Sequence, residues 1–246
     1  MRHLLIDNSN TRTKFALCAE NGKMDLRILP TAQISQSSVQ RLLHDWQFEK
    51  VYLCSVVPWA SVIIQQACSG RELVVLDAGT SDAVDFSHYP GVDTLGADRV
   101  ANVLAAIQLQ QYPLVAVDVG TATTFDVVTM GTDGPCFRGG VIAPGITAMV
   151  QSMSGSTAQL PIVENWQSAP IIGSNTQEAI GSAIRVGYPA MLDAILDSIE
   201  HELGQPVHTF LTGGDAAAMA PLLRHSCQTV PMLTLQGLAF VAGIQI

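Results

Sequence analysis

Apolar residues along this chain fall in short blocks broken by small and polar residues, and twice the break has the same form. Leu4-Leu5-Ile6 stops at Asp7, the polar run Asn8-Ser9-Asn10-Thr11-Arg12-Thr13-Lys14 follows, and Phe15-Ala16-Leu17 resumes. Later, Leu114-Val115-Ala116-Val117 stops at Asp118, Val119-Gly120-Thr121-Ala122-Thr123-Thr124 follows, and Phe125-Asp126-Val127-Val128 resumes. Two β-prone runs joined by small hydroxyl and glycine-type residues predict a β-hairpin. Its tip presents backbone amides, hydroxyls and one carboxylate. Amides grouped in this way bind phosphate oxygens, and a carboxylate beside them can hold a cation that neutralises those oxygens. One such turn carries little weight, because Asp, Asn, Ser, Gly and Thr are ordinary turn formers. Two copies, each with Asp at a strand end and Thr within the next four residues, point to a polyphosphate gripped by duplicated halves.

Further along, the pattern predicts a polar stretch through Ser35-Gln36-Ser37-Ser38, a helix around Val39–Trp46 and a buried strand over Val51–Val57 ended by Pro58. A helix over Ala60–Cys68 and a strand over Glu72–Asp77 complete a strand-helix alternation, which implies an α/β domain with a mixed sheet. A loop from Ala78 to Ala97 leads into a helix of strong formers over Arg99–Gln108, and Pro113 marks the domain boundary. The second half opens on the second hairpin and continues with a strand ending in Gly139–Gly145. Apolar residues from Ala179 to Leu203 recur at helical spacing and predict a helix over Thr176–Leu203, kinked or broken at Gly187 and Pro189. A short strand over His208–Leu211 enters Thr212-Gly213-Gly214-Asp215, an Ala-rich helix follows, and Leu233–Val241 is a final packed helix.

Composition narrows the function. Of 246 residues, 48% are hydrophobic and only 13% charged, enough apolar residue for a sizeable core and for a large oligomer interface. A formal charge of −9 argues against a general nucleic-acid binder, which needs a basic footprint, but leaves ATP binding open. The N-terminus meets a charge too early for a signal peptide, no apolar run approaches transmembrane length, and the expected location is the cytoplasm. The five cysteines lack metal or CxxC spacing and read as reduced thiols; the six histidines form no metal or triad pattern and receive no role. No GxxxxGK[ST] pattern is present, so a P-loop kinase is disfavoured.

Two α/β halves with Asp-bearing hairpins and a late glycine turn resemble the superfamily of actin, heat-shock chaperones and hexokinases. Within it, the chain is similar to type III pantothenate kinases over nearly its whole length. The resemblance rests on Asp7–Lys14, Gly96-Ala97-Asp98-Arg99, Asp118–Thr124, Gly139–Gly145, Thr157-Ala158-Gln159-Leu160-Pro161, Thr212–Asp215 and Pro231–Leu238. It implies two duplicated actin/hexokinase-like (ribonuclease H-like) domains with mixed sheets. Residues 1–113 would hold the first phosphate hairpin and substrate loop; residues 114–246 would hold the second hairpin, the dimerisation helix and the adenosine turn. The implied activity is ATP-dependent phosphorylation of pantothenate, the first step towards coenzyme A, with Mg2+ and a monovalent cation (K+ or NH4+), in a homodimer without membrane or nucleic-acid partners. The rivals are a sugar kinase of the same superfamily and a non-catalytic regulatory factor.

The resemblance also implies roles for residues. Asp7, Asn8, Ser9, Asn10, Thr11, Arg12, Thr13, Lys14 and Thr121 would contact ATP, and Asp118 would bind the monovalent cation. Ser9 stands where the family has Gly, and Val92 where relatives carry Pro. Lys14 reads equally as a phosphate-binding point charge or an exposed strand lysine. Asp98 precedes a helix, so it is an N-cap or, by the resemblance, the general base for the substrate hydroxyl. Tyr89, Gly96, Ala97 and Arg99 would line the pantothenate site with Asp98. Gly139-Gly140 and Pro144-Gly145 either let backbone approach a ligand or are a strand end and a plain turn. Asn175-Thr176-Gln177-Glu178 reads as a capping box, and by the resemblance Thr176 would also reach the pantothenate of the other subunit.

Overall fold

The computed structural model describes residues 2–156, 163 and 166–245, with 153–156 described by their backbone alone. The Thr157–Pro161 motif therefore lies outside the described residues. The elements in chain order are β1 (Arg2–Asn8), β2 (Arg12–Ala19), β3 (Met24–Pro30), α1 (Gln36–Leu43), β4 (Lys50–Ser55), α2 (Pro58–Ala67), β5 (Glu72–Val75) and α3 (Ala97–Ala106). There follow β6 (Leu114–Val119), β7 (Ala122–Met130), β8 (Pro135–Pro144), α4 (Ile146–Ser156), α5 (Thr176–Ser182), α6 (Tyr188–Leu203), β9 (His208–Thr212), α7 (Ala216–Met219), β10 (Cys227–Thr229) and α8 (Leu233–Val241).

Two five-stranded sheets result, in the orders β3-β2-β1-β4-β5 and β10-β9-β6-β7-β8. Read from the central strand outward, the second order repeats the first. In each, the opening strand is flanked by its hairpin partner on one side and by a parallel strand on the other. The first sheet is mixed: β2 runs antiparallel to β1 and β3, while β4 runs parallel to β1 and β5. The duplicated mixed α/β architecture is thus present. The chain divides into two compact units: Met1–Gln110 with Val128–Arg138 and Met232–Ile246, and Gln111–Val127 with Gly139–Pro231.

In the first unit, Leu4 and Ile6 of β1, Phe15 and Leu17 of β2 and Val51 and Leu53 of β4 point to one face. There they meet Val39 and Leu43 of α1 and Ala60 and Ile64 of α2. Pro58 opens α2 at its first turn, where a missing N–H costs nothing. α3 is buried from Arg99 to Ala106 because α8 packs along it. The two helices approach so closely at Gly237 that a Cβ there would lie 2.0 Å from the Ala101 carbonyl oxygen. Thr234 Oγ1 donates to Asn102 Oδ1 at 2.9 Å across the same buried contact.

The second unit packs Val115, Val117 and Val119 of β6 and Phe125 and Val127 of β7 against Ile180, Ile184, Tyr188, Leu192, Leu196 and Ile199. Those six side chains come from one helical stretch. Gly187 and Pro189 do not break it; Ala183–Gly187 forms a π-helical segment between α5 and α6. A wider turn absorbs the hydrogen bond that Pro189 cannot donate. The resulting run, Thr176–Leu203, is 28 residues long and apolar enough to cross a membrane by length and composition, contrary to the sequence expectation. Half of its apolar window is buried within the protein, and Ile180, Ile184, Tyr188, Leu192, Leu196 and Ile199 on it belong to the core.

Other expectations also shift. β3 was unforeseen, and it forms the edge of the first sheet beside β2. α4 and the three-residue β10 were likewise not anticipated. All five cysteines are free thiols, with Cys18, Cys54 and Cys68 buried.

Candidate active site

In the first hairpin, the antiparallel register sets Asp7 opposite Lys14 and Asn8 opposite Thr13. Cross-strand partners in a hairpin face each other closely, and both pairs bond. Lys14 Nζ reaches Asp7 Oδ2 at 2.8 Å, and Ser9 Oγ donates to Asp7 Oδ1 at 2.7 Å. Asp7 is almost wholly buried, so these two donors hold its charge in a fixed position. Lys14 is therefore neither a bare strand lysine nor an unattached point charge. Asn8 Nδ2 donates to Thr13 Oγ1 at 2.7 Å, and Ser55 Oγ donates to Asn8 Oδ1 at 2.7 Å. With Asn8 and Thr13 buried and bonded in this way, the exposed tip consists of Asn10, Thr11 and Arg12 beside half-buried Ser9.

A residue that sequence reasoning missed braces this tip. Thr31, buried at the end of β3, donates its hydroxyl to the Ser9 carbonyl at 2.7 Å and its N–H to the Thr11 carbonyl at 3.0 Å. With both carbonyls tied down from behind, the turn keeps its shape without glycine. Ser9 is not among the residues with positive φ.

The second chemical group in this unit stands at the start of α3. Gly96, not Asp98, is the N-cap residue, and Asp98 is the second residue of the helix. Its Oδ1 accepts the Arg99 N–H at 2.8 Å. Burial pushes the Asp98 carboxyl above the usual carboxylate range, and the nearby Asp7 charge pushes the same way; bonding to the Arg99 amide and the charge of Arg99 partly offset this. Gly96 makes room for it, since a Cβ there would lie 2.6 Å from Asp98 Oδ1.

Tyr89 and Arg99 are joined by Phe137 of β8, which no sequence feature singled out. The Tyr89 ring packs edge-on against Phe137 at 5.2 Å between centroids, and the Arg99 guanidinium lies 5.8 Å over the same ring. The loop is pinned to β8 by Asp85, whose N–H donates to the Pro135 carbonyl at 2.8 Å and whose carbonyl accepts from Phe137 at 2.9 Å. A cleft of about 730 Å³ opens beside this loop. Asp77, Asp82, Asp85 and Asp93 line it, and four carboxylates make it a poor seat for an anion.

In the second unit, three of the motifs converge on the Asp118 turn. Gly145 donates its N–H to the Thr121 carbonyl at 3.1 Å, and a Cβ on Gly145 would lie 2.0 Å from the Gly120 carbonyl oxygen. Gly213, at φ +100°, passes so near that a Cβ would lie 2.5 Å from Asp118 Oδ1 and 2.4 Å from the Val119 carbonyl oxygen. Asp215 donates its N–H to that Val119 carbonyl at 3.1 Å, and burial raises the pKa of its carboxyl. Carboxylate and carbonyl oxygens gathered in this way are the hard donors that suit alkali and alkaline-earth cations. Behind the turn, Thr123 and the buried Tyr188 hydroxyl share a hydrogen bond.

Thr176 is the exposed first residue of α5. Asn175 caps the helix by accepting the Glu178 N–H at 3.0 Å, but the returning bond is shifted by one residue from the expected box. The Glu178 carboxylate accepts from Ser174, at 2.8 Å from its N–H and 2.6 Å from its hydroxyl. Just before this cap, Ile171 and Ile172 are 68% and 86% exposed, an uncommon state for large apolar side chains.

The family model of type III pantothenate kinase matches residues 3–198. A type III pantothenate kinase from Akkermansia muciniphila is 36% identical over 250 residues, covering 100% of both chains. Another, from Methylacidiphilum infernorum, is 36% identical and covers 99% of this chain and 89% of its own. Among solved structures, an archaeal actin homolog superposes with a TM-score of 0.52 at 12% identity, covering 100% of both chains. At that identity the likeness shows the fold, which is actin-like.

Proposed function

Because the chain belongs to the type III pantothenate kinase family, we propose a division of labour among its own residues for a reaction the family establishes. The protein is a kinase that phosphorylates pantothenate, in coenzyme A biosynthesis, using ATP and a divalent metal ion. Asp98 is the general base. The observation that carries this role is a half-buried carboxylate with a raised pKa, held near a second carboxylate at the head of α3 with Gly96 clearing its place. Phosphoryl transfer asks for positioning and charge neutralisation more than covalent chemistry. Asp98 accepts the proton of the pantothenate hydroxyl, the oxygen attacks the γ-phosphorus in line, and the bond to the β-phosphate oxygen breaks to release ADP.

Arg99 and Tyr89, set on Phe137, and the Gly96-Ala97 backbone hold pantothenate. Pantothenate is an anion, so this cation-bearing cluster suits it better than the acidic cleft. The tip Ser9–Arg12 and Lys14 contact ATP phosphates through exposed amides, hydroxyls and charge, as does Thr121, with Asn8 and Thr13 shaping the turn from within. Asp7, beside the tip, would face the divalent ion, which would supply positive charge to neutralise the phosphates. Asp118 and the oxygens around it hold a monovalent cation. Along the chain, residues 1–113 and 114–246 are the two duplicated ATPase-like halves, although Val128–Arg138 and α8 of the second belong to the first compact unit. The enzyme works in the cytoplasm as a homodimer in which Thr176 reaches the partner's pantothenate, a reading supported by the exposed Ile171 and Ile172 beside it. A coupled assay with pantothenate, ATP and Mg2+ on wild type and Asp98→Asn tests the central assignment. Turnover that survives in the folded variant removes Asp98 from the mechanism.

A further inference from the structure

His225 looks unremarkable in the sequence, because its partners lie about one helix and one strand earlier in the chain. In the structure it stands among three acidic side chains of α6. The buried Asp193 carboxylate accepts the backbone N–H groups of Arg224 and His225 at 3.0 and 3.1 Å. His225 Nδ1 lies 2.9 Å from Asp193 Oδ1, so the imidazole carries a proton on that nitrogen and donates it to the carboxylate. The other nitrogen, Nε2, faces Asp197 Oδ1 at 3.3 Å and Glu200 Oε2 at 3.6 Å.

Each of these carboxylates has its second oxygen occupied. Asp197 Oδ2 accepts Arg224 Nη2 at 2.8 Å, and Glu200 Oε1 accepts the Val207 N–H at 3.0 Å. The free oxygen of each is thereby turned towards Nε2, and the three ligand atoms lie within 4.8 Å of one another. A charge-assisted N–H···O bond runs about 2.7–2.9 Å, so the Nε2 contacts are long for an imidazolium holding two carboxylates. They fit a different figure. Zinc bonds to nitrogen and oxygen of about 2.0–2.2 Å place neighbouring ligand atoms of a tetrahedron roughly 3.3–3.6 Å apart.

We infer that His225, Asp197 and Glu200 bind a borderline divalent cation of the zinc class, with solvent at the fourth position and Asp193 fixing the imidazole from behind. A histidine ligand favours zinc, nickel or cobalt over magnesium or calcium, which take oxygen. A carboxylate on the far ring nitrogen is the usual companion of a metal-bound histidine, because it sets the tautomer and makes the ligating nitrogen more basic. Asp197 and Glu200 are one turn apart on α6, whereas His225 leads into β10 at the edge of the second sheet. The ion therefore fastens that edge to the helix, and none of its ligands is assigned to phosphoryl transfer.

The test uses full-length, tag-free, chelator-treated protein titrated with Zn2+, and with Co2+ as the visible-light probe. The expected result is one ion per chain, the intense absorption of four-coordinate Co2+, and a higher melting temperature with Zn2+. Glu200→Gln keeps an oxygen for the Val207 N–H and removes the ligating one. It should melt like wild type in chelator, keep its kinase turnover, and bind Zn2+ at least about tenfold more weakly. Equal Zn2+ affinity in wild type and variant, or a Co2+ spectrum that stays six-coordinate, overturns the assignment.

Discussion

Gly96 leaves the space that the Asp98 carboxylate occupies: a Cβ on residue 96 would lie 2.6 Å from Asp98 Oδ1. The obstructing atom belongs to a side chain, so Gly96→Ala is expected to displace the carboxylate rather than unfold the helix. Turnover should fall by roughly 10²-fold or more, the scale of a misplaced catalytic group, with the melting temperature close to wild type. Loss of both together would mean that Gly96 serves the backbone instead.

Asp98→Asn separates catalysis from stability, and pH gives the sign. A carboxyl whose pKa is raised in the folded state costs the fold free energy once ionised. That cost is absent below the ordinary carboxylate value of about 3.9, grows as pH rises towards the raised folded value and stays constant above it. At neutral pH the variant should therefore melt at or above wild type while turnover drops by roughly 10²–10⁴-fold. In wild type, activity should fall with acid through a pKa above 3.9, since the base must be ionised. A folded variant with most of its turnover would refute the role.

Asp118 sits against Gly213 beside the β6–β7 turn, the place proposed to face the ATP phosphates, which a carboxylate without a cation would repel. A monovalent ion there turns repulsion into attraction. Rates should depend on potassium or ammonium, and Asp118→Asn should blunt that dependence. Equal rates in sodium-only and potassium buffers argue against it.

Ile171 and Ile172, exposed beside Thr176, predict a buried interface between two copies. Light scattering at low micromolar concentration should give about twice the 26.2 kDa chain mass. Ile172→Asp should shift the mass towards one chain and raise the KM for pantothenate. A monomeric wild type with full activity would sink the proposal.

Phe137→Leu removes the ring on which Tyr89 and Arg99 both rest. The expected effect is a higher KM for pantothenate with an unchanged KM for ATP, measured by steady-state kinetics. Equal rises in both would point to general loosening.

The duplication was legible because the same punctuation, an apolar run stopped by Asp, opens both halves. It appears as two sheets with one strand order. The final helix was legible to the residue, since every position in Leu233–Val241 but Gln236 is apolar or small, and most are buried. β3 escaped because an edge strand has no continuous apolar face; none of its residues is fully buried. At Asp98 the cap was misjudged by two positions, since glycine, though a weaker cap than Asp, is also among the preferred N-cap residues. Phe137 and Thr31 could not be read from the sequence at all. Each acts by lying under residues distant along the chain, which periodicity does not encode.

The close crossing of Gly237 over Ala101 has a consequence for how the protein is made. α3 is synthesised before the whole of the second sheet, yet the helix that covers it follows that sheet in the chain. Domains generally fold as they leave the ribosome. Here the first unit emerges with the apolar side of α3 uncovered and must wait for almost the whole of the second to be translated. Its completion is therefore tied to the translation of α8, and the nascent chain must carry that bare helix surface until α8 arrives.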